Sequence, residues 1–497
     1  MEKIMKILFV YPENPDTFWS FKHAVKFISK KAVHPPLGLL TVAAMLPEKW
    51  EKKLVDMNVA FLKDRDIEWA DYVFISAMVV QKESVKRLIT RCNDLGTGIV
   101  AGGPLFTSSY KDFKGVDHFL LNEAELTIPV FLKDFYNNEL KYVYSSDKFA
   151  PIGNTPVPLW DLIDMKKYVS MNIQYSRGCP FNCDFCDITT LFGRNVRTKS
   201  KKQVISELDK LYSMGWKGNV FFVDDNFIGN KSEIKKEILP AIVKWMSRMK
   251  YPFVFSTEVS INMADDEELM KLMYKAGFEC VFIGIETPDD KSLAECGKFQ
   301  NKNRNMVDSV RKIQQFGFEV AGGFIVGFDN DSHSIFDRQI NLIQKSGIVT
   351  AMVGLLNAPK QSRLYQRLIN ENRITQDPSG SNTDFTINFI PKMDYSKLIS
   401  GYKKIINGIY SAEPYYKRIR NYLINKQHIK RRSNFKIGYL KALFRSIFFL
   451  GIRDRERVHF WKLIFWSLFR SPQLLPEAIT YAIYGFHFRK IFKDQLS

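Results

Sequence analysis

Cys179, Cys183 and Cys186 stand at C-x3-C-x2-C within YSRGCPFNCDFCDITTLFGR, residues 175–194. Three thiolates this close suit a soft metal or a metal cluster. A structural zinc site wants four ligands, usually as two close pairs. Cys92, Cys280 and Cys296 are solitary and bring no C-x2-C partner. A disulfide would leave one thiol of the three over. A [4Fe–4S] cluster takes a thiolate at each iron, so three cysteines leave one iron open for a substrate or cosubstrate. A second set of chemically active residues follows apolar runs further on: Asp224-Asp225-Asn226, Glu258, Glu286 and Asp329. Carboxylates at strand ends can accept hydrogen bonds from ammonium and hydroxyl groups.

The elements that must position these residues read as two α/β series. KILFVYP, KKLVDMN, ADYVFISAM, TGIVAGG and DHFLLNEAE are short apolar runs between residues 6 and 125. With helical stretches between some of them, they predict a doubly wound, Rossmann-like domain over 1–140. Ligands of such sheets sit at the carboxyl ends of the strands, here near Tyr11, Asp56, Met78 and Gly102-Gly103. APIGNTPVPLWDL is rich in proline and marks a linker over 141–170. From 171 to 400 a second βα series predicts a full or partial barrel, whose functional side chains lie at strand carboxyl ends. The chain is α/β up to there, and a helical, basic region is expected over 401–497.

Composition is that of a globular protein, with 45% hydrophobic and 25% charged residues in a chain of 497. Six cysteines make no disulfide framework. MEKIMKILFV is too short for a secretory signal and lacks a cleavage site, so a cytoplasmic setting with reduced thiols is expected. The charge is uneven. Residues 401–497 hold 20 Lys and Arg against 5 Asp and Glu, which is +15 of the chain's +19. The runs SIFFLGI and LIFWSLF interleave with these cations. Arg445, Lys462 and Arg470 interrupt any bilayer span. Two uses of the region follow. It caps the barrel, or it lies on an anionic membrane surface with Lys441, Arg445, Lys462 and Arg470 toward lipid. No RNA-binding module is recognisable, so a nucleic-acid partner is not expected.

C-x3-C-x-Φ-C, with Phe185 before the last cysteine and RGCPFNC ahead of it, resembles the motif of radical S-adenosylmethionine (SAM) enzymes. The resemblance implies a [4Fe–4S] cluster on Cys179, Cys183 and Cys186, with SAM chelating the fourth iron. FFVDDNF matches the segment that meets the SAM amino group, with Asp224, Asp225 and Asn226 replacing the commoner Gly-Gly-Glu. Glu258 of FSTEVSIN matches the position that meets the ribose. VFIGIETPD resembles the G-x-I-x-G-x-x-E segment and ends in Glu286. GGFIVGFD resembles the sixth strand, whose backbone flanks adenine.

The domain ahead of the barrel resembles the cobalamin-binding architecture. Met78, Gln81, Gly102 and Gly103 become the expected cobalamin contacts, with the glycines admitting the nucleotide tail and Gln81 a candidate for the lower face. The D-x-H-x-x-G loop is absent, because His118 follows Asp117 directly. No histidine from that loop is expected on cobalt. NPDTFWSFKHAVKFISKKAVHPPLGLL, CDFCDITTLFGR, ETPDDKSLAECGKFQN and YGFHFRK are similar to the branch containing the hopanoid C-2 methylase. That branch implies methylation of an unactivated carbon on a hydrophobic, lipid- or hopanoid-like small molecule, with an electron donor such as flavodoxin or ferredoxin. Three other readings stay open: a rearrangement or cyclisation without net methylation, radical chemistry on RNA or a peptide, and an iron–sulfur electron carrier or sensor.

Overall fold

A computed structural model describes residues 4–381, 383–426, 437–470 and 472–496. Six parallel strands form the first sheet: β1 (Lys6–Tyr11), β2 (Glu51–Asp56), β3 (Tyr72–Ser76), β4 (Gly98–Gly102), β5 (His118–Leu120) and β6 (Val143–Tyr144). The order is β2-β1-β3-β4-β5-β6, which reverses between β1 and β3. Helices cover both faces, so Ile7, Leu8, Phe9 and Val10 are all fully buried. That is why the strands read as continuous apolar runs rather than alternating ones. β6 lies beyond residue 140, so the sheet reaches into the proline-rich segment.

The second sheet holds β7 (Ser170–Ile173), β10 (Asn219–Phe222), β11 (Val254–Val259), β12 (Phe278–Glu286), β13 (Glu319–Val326) and β14 (Ala351–Leu355). Between β7 and β10 a ribbon pairs β8 (Ser176–Arg177) with β9 (Arg197–Thr198). The six long strands are parallel and follow chain order, with β7 and β14 as the two edges. The barrel is therefore partial. GGFIVGFD belongs to β13, the fifth barrel strand and not the sixth. The sixth is β14, which is wholly buried and gives no alternating signal.

Register fixes the inner face. Asn172 pairs with Phe221, and Glu258 with Phe282. Met171 and Ile173 instead share a core with Val204 and Leu208 of the outer helix Lys201–Ser213. Local signals set the helix ends. The Asp266 carboxylate accepts from Leu269 N at 3.0 Å, and Gly277 takes φ +111° where the helix Glu267–Ala276 stops.

Two further segments complete the barrel. The stretch 14–36 leaves the first sheet and enters the barrel wall. Trp19 meets Phe282 edge-on at 5.3 Å, His34 lies 5.2 Å from Phe221, and Asn172 donates to the Pro35 carbonyl at 3.3 Å. The C-terminal helices pack on the β14 side. Tyr402 and Tyr410 donate to the Val353 and Ala351 carbonyls at 2.8 and 2.6 Å. Phe488 stacks on Phe18 at 4.2 Å. One face of the basic region thus caps the barrel.

Candidate functional site

The cysteine loop begins at Gly178. Its φ is +94°, and a Cβ there would stand 2.9 Å from the Gly193 carbonyl. Only glycine can make that turn without strain. Asp224 supports the loop from below. Its carboxylate accepts from Tyr175 N at 3.2 Å, from Ser176 Oγ at 2.5 Å, and from Ser176 N. Asp184 N donates to the Cys296 carbonyl and Leu364 N to the Asp184 carbonyl, at 2.9 and 2.8 Å. Phe185 rests edge-on against Phe328 at 6.3 Å. Burial raises the pKa of all three thiols. Among the described residues no three His, Cys, Asp or Glu stand at single-ion spacing. A four-iron cluster binds each thiolate at a different iron, so its ligands stand farther apart than those of one ion.

Acids gather at the ends of β10 and β11. Burial, then repulsion from Asp225 and Asp224, pushes Glu258 up to about 8. Burial likewise raises Asp225 to about 6 and Asp224 to about 7. Asp224 is consumed by the loop, whereas Asp225 has one weak backbone partner, Gly178 N at 3.4 Å. Asp225 and Glu258 are therefore short of positive charge. A ligand bringing an ammonium or sulfonium group and hydroxyls would supply it.

Glu286 is differently placed. Its φ is +66°, at a register shift between β12 and β13. Such a conformation costs about 1–3 kcal/mol in a non-glycine residue. Gln339 Nε2 holds its carbonyl at 2.9 Å. Its carboxylate accepts from Lys298 at 2.7 Å. Burial pulls the Lys298 ammonium down, but Glu286, helped by the neighbouring Cys183 and Cys186, outweighs it and holds the group above its usual value. Lys298 is a functional candidate that spacing arguments miss, because it lies on a loop after a helix with no motif of its own. Asp329, also at a strand end, is not brought to the site. Arg373 and Arg367 engage it at 2.6 and 2.9 Å.

The facing edge belongs to the first sheet. Met78 follows β3 and is 54% exposed. Gln81 is fully buried, and both ends of its amide are used. Its Oε1 accepts from Met78 N at 2.8 Å, and its Nε2 donates to the Pro12 carbonyl at 2.6 Å. It ties the ends of β1 and β3 across the switch point and is not presented to a ligand. Gly102 and Gly103 answer to the chain itself. A Cβ would stand 2.7 Å from the Leu120 carbonyl at Gly102 and 2.5 Å from Ser76 Oγ at Gly103. His118 opens β5, so it lies at the amino edge, beside a depression lined by Tyr72 and Asp117. It is on the wrong side for a ligand at the carboxyl ends.

Charged clamps bring the two edges together. Glu123 and Glu125 follow β5. Arg177, two residues before Cys179, donates to Glu125 at 2.7 Å and to Glu123 at 2.9 Å. Arg197 joins Glu123 at 2.8 Å. Burial would raise Glu125, but Arg177 outweighs it and brings the carboxyl down to about 2. On the far side Gln361 donates to the Thr107 carbonyl at 3.1 Å. Tyr168 donates to Asp56 at 2.9 Å. The carboxyl ends of both sheets therefore face one another. Trp19, His34, Phe221 and Phe282 gather on the barrel's inner face. Trp19 and His34 stay accessible to solvent, yet burial brings the imidazole down to about 4.

A doubly wound sheet facing a partial barrel, with three thiols at the first barrel loop, defines a cobalamin-binding radical SAM enzyme. Residues 27–132 match the B12 binding domain, 173–343 the radical SAM superfamily, and 362–496 a domain of unknown function (DUF4070). The chain is 37% identical to an uncharacterized methyltransferase of Synechocystis, over 99% of this chain and 93% of that one. It is 31% identical to the hopanoid C-2 methylase of Rhodopseudomonas palustris, over 94% and 90%. The chain belongs to the cobalamin-dependent radical SAM methyltransferase family. Its cofactors are a [4Fe–4S] cluster, SAM and cobalamin. Among solved structures, the cobalamin-dependent radical SAM enzyme OxsB with aqua-cobalamin aligns with a TM-score of 0.63 at 15% identity, over 99% and 80% of the two chains. TsrM of Kitasatospora setae, with cobalamin and a [4Fe–4S] cluster, aligns at 0.62 and 11%, over the whole of both. These two show the shared fold. No helix among the described residues is long and apolar enough to cross a membrane.

Proposed function

We propose that this enzyme methylates an unactivated carbon of a hydrophobic, lipid-like small molecule. The observation that carries the reading is the aromatic lining of the barrel's inner face. Trp19, Phe221 and Phe282 offer apolar contact, and the His34 ring lies against Phe221. An aromatic lining of this kind suits a substrate with few charges. The name of the hopanoid C-2 methylase, similar along nearly the whole chain, supports a lipid.

In this reading Cys179, Cys183 and Cys186 hold the cluster, and Phe185 packs the loop against Phe328. Asp225 and Glu258 take the SAM amino group and ribose. Asp224 and Glu286 act behind them, through Ser176 and Lys298. Met78, Gly102 and Gly103 shape the cobalamin edge. When bound, the cluster and SAM supply a carbon-centred radical, and cobalamin supplies the methyl group. Domains near 1–140, with β6 added to the first, 171–400 and 401–497, joined through the rest of the 141–170 segment, divide these tasks. A flavodoxin or ferredoxin would deliver electrons in the cytoplasm. Lipid and metabolite profiling of a deletion strain tests the substrate. Loss of a compound in favour of one lighter by a CH2 group supports the reading. Unchanged lipids with a missing polar metabolite would overturn it.

A further inference from the structure

Among the described residues, nothing packs on the outer face of the C-terminal hairpin. The helices Ile437–Ser446 and Arg457–Arg470 pack as a hairpin through the π-helical turn Ile447–Arg453. Each buries one side. Leu450, Phe460 and Leu463 are in the core. The other sides carry large apolar groups in the open. Phe469 is 88% exposed, Phe444 67%, and Ile452, Val458 and Phe465 all exceed half. Their spacing is helical: Val458, Phe465 and Phe469 on one helix, and Phe444 on the other with Phe448 one turn on in the π-helical turn. Trp461 bridges the two, donating to the Gly451 carbonyl at 2.9 Å and stacking on Phe465 at 5.7 Å. Exposed apolar surface concentrated like this marks an interaction site.

The charge around it selects the occupant. Lys441, Arg453, Arg455, Arg457, Lys462 and Arg470 are exposed beside the aromatics. The only acids in 437–470, Asp454 and Glu456, are half-buried, and Asp454 faces Arg489 at 3.4 Å. A second copy of the chain meeting this face about a two-fold axis would set cation against cation. An anionic bilayer meets both demands, taking the rings at its interface and the cations at its headgroups. Arg445 is not part of this set. It donates to the Lys26 carbonyl at 2.5 Å and to Ser29 Oγ at 2.9 Å, so the expectation that it faces lipid is corrected.

We infer that this hairpin is a membrane-docking surface that seats the enzyme on anionic lipid without spanning it. Through Arg445 and the Phe27–Phe449 ring contact the hairpin grips the same 14–36 segment that meets the barrel's inner face. Delivery of substrate from the bilayer rests on the lipid reading above. Docking itself does not.

The test is co-sedimentation of the full-length, cluster-loaded protein with phosphatidylcholine vesicles, with and without phosphatidylglycerol, at low and high salt. Binding should need phosphatidylglycerol and weaken in salt. Each basic residue near such a surface contributes ~1 kcal/mol. Lys462→Glu with Arg470→Glu should therefore weaken binding at least about tenfold, and Phe465→Ser with Phe469→Ser should do likewise. SAM cleavage and iron content should stay unchanged, which controls for folding. Lys441→Glu with Arg455→Glu provides a second charge variant on the other half of the hairpin. Equal binding to both vesicles, or none to either, would overturn the inference. So would a concentration-dependent dimer that Phe469→Ser abolishes. Docking with unchanged lipid profiles would leave the surface standing and remove only the lipid substrate.

Discussion

The two carboxyl edges that face each other are built by opposite means. The barrel edge is made of ionisable side chains: three thiols, Asp225, Glu258, and the Lys298–Glu286 pair at 2.7 Å. The first sheet's edge is made of shape. Its Gly102 and Gly103 leave out atoms, its Gln81 is spent on holding two strands together, and Met78 is offered outward. The difference teaches that a cofactor bound through charge and covalent bonds needs particular residues. One bound across a wide face needs a flat, correctly spaced backbone. Substitutions should therefore act steeply on one edge and gently on the other.

The steepest effect belongs to the cysteines. Cys179→Ala, Cys183→Ala and Cys186→Ala should each leave no measurable SAM cleavage, while Cys92→Ala, in the core of the first sheet, should retain it. Anaerobic reconstitution should give about four irons per chain. A colourless zinc protein that cleaves no SAM would end the cluster assignment.

Next come the carboxylates, which sharpen the comparison within the barrel edge. Asp225→Asn and Glu258→Gln should weaken SAM binding about 10–100-fold, the worth of a hydrogen bond to a charged group. Iron content should hold. Asp224→Asn should show the reverse pattern, losing iron first, because its contacts are Tyr175 and Ser176. Binding titrations beside iron analysis distinguish the two. Equal effects from all three would erase the division of roles.

The clamp between the edges comes third. Glu125 is held at about 2 when folded against ~4.3 in an unfolded chain. A lowered folded pKa contributes stability that is full above the unfolded value and lost as pH falls from about 4 toward 2. Glu125→Gln should remove that part of the acid transition and lower the melting temperature at neutral pH, since it strips Arg177 of its closest partner. An unchanged acid limb would show that the sheets are held together elsewhere.

The smallest effects belong to the first edge. Met78→Ala should reduce corrinoid affinity less than about tenfold, a loss on the scale of one apolar contact. The bound corrinoid should be base-off. Electron paramagnetic resonance of its cobalt(II) state should show no splitting from an axial nitrogen, given that His118 lies at the opposite edge. Nitrogen splitting would contradict this placement.

Much of the barrel edge was legible because its chemistry demands fixed residue types at short spacing. Three cysteines within eight positions announce themselves, and so do acids after apolar runs. The sequence could not separate Asp224 from Asp225, since adjacent residues on one strand end differ only in which way they point. Lys298 was hidden for a related reason. It is 112 residues from Cys186 and meets it only when the barrel closes. Glu123 and Glu125 read as the polar end of a strand, and their partners Arg177 and Arg197 sit in a different sheet.

By itself the sequence determined the two parallel sheets, the cluster loop and the concentration of positive charge after residue 400. Each follows from local pattern: apolar runs, fixed thiol spacing, and net charge in one segment. Only the tertiary structure decided which charges remain for use. Arg445 and Asp329 look as available in the sequence as Lys462 and Asp225. Folding hands Arg445 to the Lys26 carbonyl and Asp329 to two arginines, and it leaves Lys462 in solvent. The physical reason is that a hydrogen-bonding group satisfied inside the protein has little left to offer a ligand, and that accounting closes only when distant segments meet.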